Sequence, residues 1–302
     1  MKSLKQTNLA PERIDKVIAE ALGFSRTKIQ KAIKSGLILV DGKTAKPHSV
    51  VTAENTISYD PTILDAKAKS TEPVQDLEII YEDDDLIVIN KPAGLLVHET
   101  ETSTETTLTD ALIKHFPEIA NIGDDPKRPG LVHRLDKAVS GVMVIAKNQK
   151  AFEFLKTQFK DRKATKIYTA LVHGVINDET GTIDLPISRS KTRGGRMAAR
   201  PKSQVGKDAV THFEVLERFD HFTLLNVRIE TGRTNQIRVH LFALGYPVVG
   251  DRVYKQKAQK LANLSRVFLH ARELTIELPN GEEKTFKADL PEKLKSFLEN
   301  IK

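Results

Sequence analysis

The sequence contains no cysteine among its 302 residues. That absence excludes disulfide bonds, cysteine nucleophiles and metal sites with thiolate ligands, and it agrees with a reducing compartment. No apolar stretch approaches the roughly 18 residues needed to cross a membrane, and the N-terminus lacks the apolar core of a signal peptide. We therefore expect a cytoplasmic protein with no membrane partner.

Metal and cofactor motifs are also missing. No two of the nine histidines have the spacing of a helical zinc motif. The sequence has neither the glycine pattern of a dinucleotide-binding fold nor a phosphate-binding loop. It therefore predicts no metal site and no cofactor.

Positive charge is abundant. The chain has 47 Lys and Arg against 40 Asp and Glu, a net charge of +7. A basic balance favours an acidic partner such as nucleic acid, although a solvated basic surface would give the same sum. With 39% hydrophobic residues, the chain can bury a sizeable core in one large domain, or in a large and a small one.

Residues 1–60 form a small basic module with ten Lys and Arg against six Asp and Glu. Apolar spacing predicts two helices, followed by a short strand and a hairpin. Arg26, Lys28 and Lys31 gather on the second helix, which is typical of phosphate contacts or of a solvated helix face. Residues 11–58 resemble the small RNA-binding module of a small-subunit ribosomal protein, which implies that these three side chains contact RNA.

The stretch LVHRLDKAVSGVMVIAK, at residues 131–147, places charged residues between two apolar runs that are typical of strands. A lone carboxylate at such a place must be solvated, paired or used in chemistry. We interpret Asp136 as the working residue of this stretch.

A later stretch, KIYTALVHG at residues 166–174, alternates like a strand and so places Lys166 and Tyr168 on one face. Tyr168 is either a core aromatic with its hydroxyl at the edge or a ring on which a nucleic-acid base stacks.

A third stretch, TGRTNQIRVHL at residues 231–241, predicts a turn and a helix carrying Arg233 and Arg238. A buried arginine needs an anion, and Asp136 is a suitable one. The alternative is a surface helix with scattered arginines.

Four motifs, taken together and in order, resemble the signature set of the RluA-type pseudouridine synthases. They are KPAGLLVH at residues 91–98, HRLDKAVSGVMVIAK at 133–147, KIYTALVHG at 166–174 and TGRTNQIRVH at 231–240. With the basic module in front, the chain is similar to the branch of that family that modifies ribosomal RNA. The resemblance implies isomerisation of uridine in RNA without a cofactor.

The resemblance also implies roles for individual residues. Asp136 matches the catalytic carboxylate, and Arg238 matches the cation that stabilises its ionised form. Tyr168 matches the residue that packs on the target base and takes part in proton handling. Arg134 matches the side chain that fills the space left when the uridine is extruded from folded RNA. Weaker candidates for phosphate or site contacts are Lys91, Lys166 and Arg233.

Two positions depart from the usual family pattern. Val139 stands where the family usually has Thr, and Asn235 stands where it usually has His. Neither is the carboxylate, and Asn keeps hydrogen-bonding capacity. We therefore expect the departures to affect local hydrogen bonds or the rate, and not the class of reaction.

Residues 186–207 add a strongly basic loop with seven Lys and Arg and no Asp or Glu. Such a loop between strands indicates a phosphate grip, or alternatively a solvated hairpin tip. The concentration of like charge favours RNA contact.

The expected fold class is α+β, with a large, mainly antiparallel mixed sheet flanked by helices and a small N-terminal α+β RNA-binding domain. The predicted boundaries are residues 1–60 for the small domain, 61–76 for a linker and 77–302 for the pseudouridine synthase catalytic domain. The resemblance also implies a monomer.

The leading hypothesis is an enzyme that isomerises specific uridines to pseudouridine in large-subunit ribosomal RNA. The alternatives are a synthase acting on tRNA and an inactive RNA-binding or ribosome-assembly factor with the same fold. A glycosidase would need a second catalytic carboxylate near Asp136, and no motif supplies one.

Deletion of residues 1–60 is expected to weaken RNA binding and flatten its salt dependence, because each lost phosphate contact lowers the slope of log K against log salt by about 0.7 to 0.9. Filter binding of the full chain and the deletion variant across a salt series measures this change. Circular dichroism checks that the remainder stays folded. An unaltered slope would contradict a phosphate-contacting role for the module.

Overall fold

The structure is a computed structural model that describes residues 1–4, 10–24, 26–61, 76–100, 105–190, 196–256 and 264–301. The chain divides into two compact units, the first formed mainly by residues 1–61 and the second mainly by residues 76–301. Residues 62–75 of the predicted linker lie outside the described residues, as do residues 191–195 of the basic loop.

The first unit combines two helices with short strands. Its elements are β1 (Lys2–Leu4), β2 (Glu12–Arg13), α1 (Ile14–Leu22), α2 (Arg26–Lys34), β3 (Ile38–Val40), β4 (Lys43–Thr44), β5 (Val50–Val51) and β6 (Ile57–Tyr59). Four strands form a sheet in the order β1-β6-β3-β4, and β2 pairs with β5. Ile14 and Ile18 of α1 share a small apolar core with Ile29 and Ile33 of α2, because these residues recur at helical spacing.

The second unit is built on a large sheet. Its strands are β7 (Ile79–Glu82), β8 (Leu86–Lys91), β9 (Ser140–Ala146), β10 (Thr165–His173), β11 (Thr180–Asp184), β12 (Ile187–Arg189), β13 (Met197–Ala199), β14 (Val210–Arg218), β15 (Phe222–Ile229), β16 (Leu269–Glu277) and β17 (Glu283–Lys287). Nine of them form one sheet in the order β11-β14-β15-β10-β16-β9-β8-β7, with β17 also paired to β16. Strands β12 and β13 form a separate hairpin.

Among the described strand pairs of this sheet, β9 with β16 is the only parallel one. The helices of the second unit are α3 (Leu108–His115), α4 (Gln149–Lys160), α5 (Gln236–Ala243) and α6 (Glu292–Glu299), and a short 3₁₀ helix covers Pro117–Asn121. A mainly antiparallel mixed sheet with helices, preceded by a small α+β unit, confirms the predicted fold class. In the part of the chain that the structure describes, no helix combines the length and apolarity needed to cross a lipid bilayer.

Strand β9 lies at the centre of the larger core. All seven of its residues are buried, as expected for a strand covered on both faces. Gly141 permits the close parallel contact with β16, because a Cβ atom there would lie 2.1 Å from the carbonyl oxygen of Ala271. A turn closed by the Val139 N–H on the Asp136 carbonyl, at 3.0 Å, leads directly into β9. The backbone of Asp136 is therefore anchored to the most buried strand of the unit.

Lys91 ends strand β8 and is completely buried. Its Nζ donates to the carbonyl oxygens of Pro92 at 2.8 Å and Leu95 at 2.9 Å, so it holds the following turn together. The N–H of Gly94 in that turn donates to the carbonyl of Lys137 at 2.7 Å, which joins the turn to the Asp136 loop. This position corrects the expectation of a phosphate contact, because the ammonium is not available to a ligand.

Burial, together with the charge of Arg266, lowers the pKa of Lys91 to about 7. In the unfolded chain the same lysine keeps its proton up to its ordinary range. Between these two values the unfolded state binds more protons than the folded state, so the free energy of unfolding rises with pH.

Replacement of Lys91 by Met is expected to remove this pH dependence. The wild-type protein should gain up to roughly 4 kcal/mol in unfolding free energy between pH 7 and pH 10 relative to Lys91→Met. Urea unfolding followed by circular dichroism at both pH values measures the difference. Lys150→Met, at an exposed position on α4, is the matched control. Parallel pH curves for wild type and Lys91→Met would contradict the expectation.

Candidate active site

The predicted motifs of the second unit meet in one cavity of about 530 Å³. Its walls come from residues 131–136 before β9, from helix α4, from strand β10 and from residues 232–238 at the start of α5. These segments are far apart in the chain and are brought together by the large sheet. The cavity is therefore built by the fold and not by one local stretch.

Asp136 lies in this cavity with 18% of its side chain exposed. Its Oδ2 accepts from Nη1 of Arg238 at 3.3 Å, and its Oδ1 accepts from the backbone N–H of Asn235 at 3.4 Å. The carboxylate is thus held by one charged and one neutral donor while part of it still faces the cavity. Val139, one of the two departures from the family pattern, belongs to the apolar core, is 2% exposed and also lines the cavity.

Arg238 is bound by two carboxylates. Its Nε and Nη2 donate to Asp251 at 2.6 and 3.0 Å, and its Nη1 donates to Asp136 and to Oδ1 of Asn235, the latter at 2.8 Å. Burial disfavours the charge of Arg238, but the hydrogen bonds and charge of Asp251 and the charge of Asp136 outweigh it and raise the pKa of Arg238. The guanidinium is therefore a permanent cation in a fixed orientation.

Asp251 was not singled out from the sequence. Its side chain is completely buried. In the sequence it comes directly after Gly250, which follows the apolar residues 247–249. The same reasoning that marked Asp136, a lone carboxylate beside an apolar run, applies to Asp251 and would have found it.

Tyr168 projects from β10 into the cavity, and its residue is 7% exposed. Burial, and then the negative charge of Asp136, raise the pKa of Tyr168 well above its ordinary value. The phenol is therefore neutral near pH 7 and keeps its proton while it lies beside the carboxylate.

Arg134 is exposed at the cavity wall, with Nη1 3.5 Å from Nε2 of His98. Burial, followed by the charge of Arg134, lowers the pKa of His98 to about 4, so this histidine is neutral near pH 7. Burial and the charge of Lys166 lower the pKa of His133 to about 3. His133 accepts from the N–H of Val144 and stacks on Phe159, as a structural residue does.

Among the described residues that line the cavity, Asp136 is the only carboxylate and seven are Lys or Arg. These cations are Arg128, Arg134, Lys156, Lys160, Lys166, Arg233 and Arg238. Lys156 and Lys160 lie one turn apart on α4, and they and Arg128 were not identified from the sequence. The only sequence signal for Lys156 and Lys160 is their spacing of four residues, which on a helix indicates a shared face and nothing about function. The cavity therefore suits a substrate with several negative charges.

Two of the weaker candidates have other contacts. Lys166 is 8% exposed, and burial together with the charge of Arg162 lowers its pKa. Arg233 uses its Nε to donate to the carbonyl of Asp208 at 2.9 Å. Both line the cavity, so both remain candidates for contact with a substrate.

The basic residues predicted in the first unit differ in their surroundings. Arg26 forms an ion pair with Asp15 at 3.1 Å, and the same carboxylate accepts from Arg13 and Gln30. Lys28 places its Nζ 3.5 Å from the centre of the Phe24 ring. Lys31 is exposed. Arg26 is paired, but half of its side chain is still exposed.

The residues of the cavity supply a carboxylate, a fixed cation that pairs with it and a neutral phenol, surrounded by positive charge. No group of three or more His, Cys, Asp or Glu side chains within the described ranges is arranged to hold a metal ion. The chemistry that these residues can perform is attack or proton transfer by a carboxylate on a polyanionic substrate.

Comparisons with known proteins agree with this geometry. A family described as RNA pseudouridylate synthase matches residues 85–243, and the S4 domain family matches residues 12–57. An uncharacterized RNA pseudouridine synthase of Bacillus subtilis, YlyB, is 40% identical over 96% of this chain and 94% of its own length. The ribosomal large subunit pseudouridine synthase D of Pseudomonas aeruginosa is 39% identical over 94% of this chain and 90% of its own length.

Solved structures give the same result. Human RNA pseudouridylate synthase domain containing 4 aligns with a TM-score of 0.60 and 29% identity, covering 74% of this chain and 92% of the human one. The resemblance recognised in the four sequence motifs is thereby confirmed. The chain belongs to the RNA pseudouridylate synthase family, with an S4 domain at its N-terminus.

Proposed function

We propose that this RNA pseudouridine synthase modifies uridines of large-subunit ribosomal RNA and that Asp136 is its catalytic carboxylate. The observation that carries the second part is that Asp136 is the only carboxylate among the described residues lining the cavity. The first part is supported by relatives from Pseudomonas aeruginosa and Vibrio parahaemolyticus, both named ribosomal large subunit pseudouridine synthase D and 39% and 36% identical to this chain.

The reaction is an isomerisation. The bond between N1 of uracil and C1′ of the ribose breaks, the base rotates, a bond forms between C5 and C1′, and the proton at C5 moves to the released N1. No electron donor and no group donor is consumed, so the atoms and electrons of the reaction balance without a cofactor. The carboxylate of Asp136 has to act beside C1′ or the ring, which requires that the uridine be extruded from folded RNA.

The surrounding residues have distinct tasks in this proposal. Arg238 pairs with Asp136 and orients it. The Tyr168 ring packs on the extruded base, and its neutral hydroxyl is available for proton transfer. Arg134, at the cavity wall, enters the space that the uridine leaves.

The cations of the cavity wall bind the phosphates that flank the target. Lys156 and Lys160 on α4 face one side of the cavity, and Arg233 lies on the segment that precedes α5. We propose that the enzyme acts as a monomer. A cytoplasmic location remains a prediction.

Asp136→Asn is expected to abolish modification, because the amide has nearly the same shape but no negative charge. Pseudouridine mapping of ribosomal RNA and tRNA in cells lacking the protein, complemented with wild type or Asp136→Asn, tests both parts of the proposal. Asp178→Asn, at an exposed position between β10 and β11, is the control and should restore the wild-type map.

The two parts fail separately in this experiment. Sites lost from tRNA alone would overturn the ribosomal target. Restoration of the map by Asp136→Asn would overturn the catalytic role. An unchanged map combined with defective ribosomes would favour a binding role in assembly.

Arg238→Lys is expected to slow the chemical step at least about tenfold, the effect of about 1.4 kcal/mol, because an ammonium cannot hold Asp251 with two hydrogen bonds and Asp136 with another. Single-turnover kinetics with saturating enzyme measures this step, and filter binding should show little change in RNA affinity. Arg218→Lys, at a partly exposed ion pair with Glu179, is the control. A wild-type rate for Arg238→Lys would show that the guanidinium geometry is not needed.

A further inference from the structure

Strands β12 and β13 form a hairpin within the basic residues 186–207, called the basic hairpin below. This hairpin contacts residues 253–254, which follow Asp251, the carboxylate that binds Arg238. Nη1 of Arg196 donates to the carbonyl of Val253 at 3.2 Å. The backbone of Met197 interacts with the hydroxyl of Tyr254 and partly offsets the rise that burial causes in the pKa of that hydroxyl. The hairpin is therefore connected to residues 253–254 by two polar contacts.

Apolar packing reinforces this connection. Ile187 of β12, Val239 of α5 and Tyr254 share an apolar cluster of their own, and Met197 packs against it. Val239 is the neighbour of Arg238 on the same helix. The hairpin strands thus pack directly against α5 and against Tyr254.

Tyr254 lies against Arg238 inside the protein. Its residue is 5% exposed, and the guanidinium carbon of Arg238 is 5.1 Å from the centre of its ring. The hydroxyl of Tyr254 accepts from Nδ2 of Asn235 at 3.2 Å. Burial raises the pKa of Tyr254, so its hydroxyl is neutral.

Asn235 joins Tyr254 to the catalytic ion pair. Its Oδ1 accepts from Nη1 of Arg238 at 2.8 Å, and its backbone N–H donates to Asp136 at 3.4 Å. The residue has φ +57°, a left-handed conformation that Asn and His adopt more readily than other side chains. Both types also offer one donor and one acceptor to their neighbours. This accounts for Asn at a position where the family usually has His.

Asp251 ties the same segment together. Its Oδ1 accepts from the N–H groups of Val253 and Tyr254 at 2.8 and 3.0 Å, while the carboxylate also binds Arg238. The Asp251 carboxylate therefore links the backbone of residues 253–254 to the guanidinium of Arg238.

The hairpin that contacts Tyr254 and Val253 is basic. Arg189 and Arg196 are exposed on its described strands and edge, and Lys202 and Lys207 follow. In an RNA-modifying enzyme, such charge binds phosphate. RNA bound by the hairpin would therefore restrain β13.

We propose that Tyr254, with Asn235, is a positioning residue that couples the basic hairpin to the Arg238–Asp136 ion pair, so that RNA held by the hairpin sets the orientation of the catalytic carboxylate. The proposal rests on the proposed function in one respect, the catalytic role of Asp136. Tyr254 acts through Asn235 and Arg238 and does not itself touch the reacting atoms.

Tyr254→Phe removes the hydroxyl and keeps the ring over Arg238. The single-turnover rate on an RNA substrate should fall about five- to tenfold, the size of one net hydrogen bond, while the dissociation constant stays within twofold. Tyr81→Phe is the matched control, because its hydroxyl also has a partner, Asp83 at 2.9 Å, but lies on β7 at the edge of the sheet. Tyr81→Phe should keep the wild-type rate.

A double-mutant cycle tests the coupling itself. Arg196→Met breaks the contact with Val253, and Tyr254→Phe breaks the contacts with Met197 and Asn235. Both substitutions act on the same connection. The fold reduction in the single-turnover rate of the double variant should therefore be smaller than the product of the fold reductions of the two single variants. Effects that multiply would overturn the coupling.

Asn235→Gly provides a second route, since glycine keeps the left-handed backbone without strain. It should slow the single-turnover step at least as much as Tyr254→Phe, and adding Tyr254→Phe to it should change the rate less than twofold. A wild-type rate for both variants would overturn the positioning role.

These experiments distinguish a failure of the positioning role of Tyr254 from a failure of the catalytic role of Asp136. An active Asp136→Asn enzyme would overturn the catalytic assignment whatever Tyr254→Phe does. An inactive Asp136→Asn enzyme together with a wild-type rate for Tyr254→Phe would overturn only the positioning role.

Discussion

The site depends on one buried cation shared unequally by two carboxylates. Asp251 takes the two shorter hydrogen bonds from Arg238, at 2.6 and 3.0 Å, and is completely buried in its side chain. Asp136 receives a single contact at 3.3 Å and keeps 18% of its side chain exposed. Arg238 is thus neutralised mainly from behind, and a buried guanidinium without such a partner would be strongly disfavoured. Asp136 is oriented by the cation without being fully engaged by it.

The sheet makes this arrangement possible. The Asp136 loop is anchored to β9, and β9 enters the sheet beside β16 at the parallel pairing that Gly141 permits. The turn held by Lys91 supports the same loop from its other side. Gly141 and the buried side chain of Lys91 therefore hold the loop of Asp136, whose carboxylate remains partly exposed.

Alternation and helical spacing are local signals, and they were sufficient to predict the fold class. The family and the grouping of Asp136, Tyr168 and Arg238 came from the resemblance of the four motifs to the RluA-type synthases. The sequence was insufficient where partners come from distant segments. Asp251 and Tyr254 lie in a short irregular segment whose contacts depend on how α5 packs. Lys91 was misjudged for the same reason, since a lysine at the end of a strand has no local signal for complete burial. Lys156 and Lys160 of α4 could not be assigned to the cavity from the sequence, because that assignment requires the position of the helix.

The pairing of β9 with β16 has a consequence for the growing chain. Asp136 and Arg238 are 102 residues apart, and Ser140 meets His270 across 130 residues. Contacts of such long range form slowly, and a chain folds from its N-terminus during synthesis. The described core of the first unit comes entirely from residues before 62, so this core can form before the later segments are synthesised. A nascent chain therefore acquires its RNA-binding domain well before it has an active site.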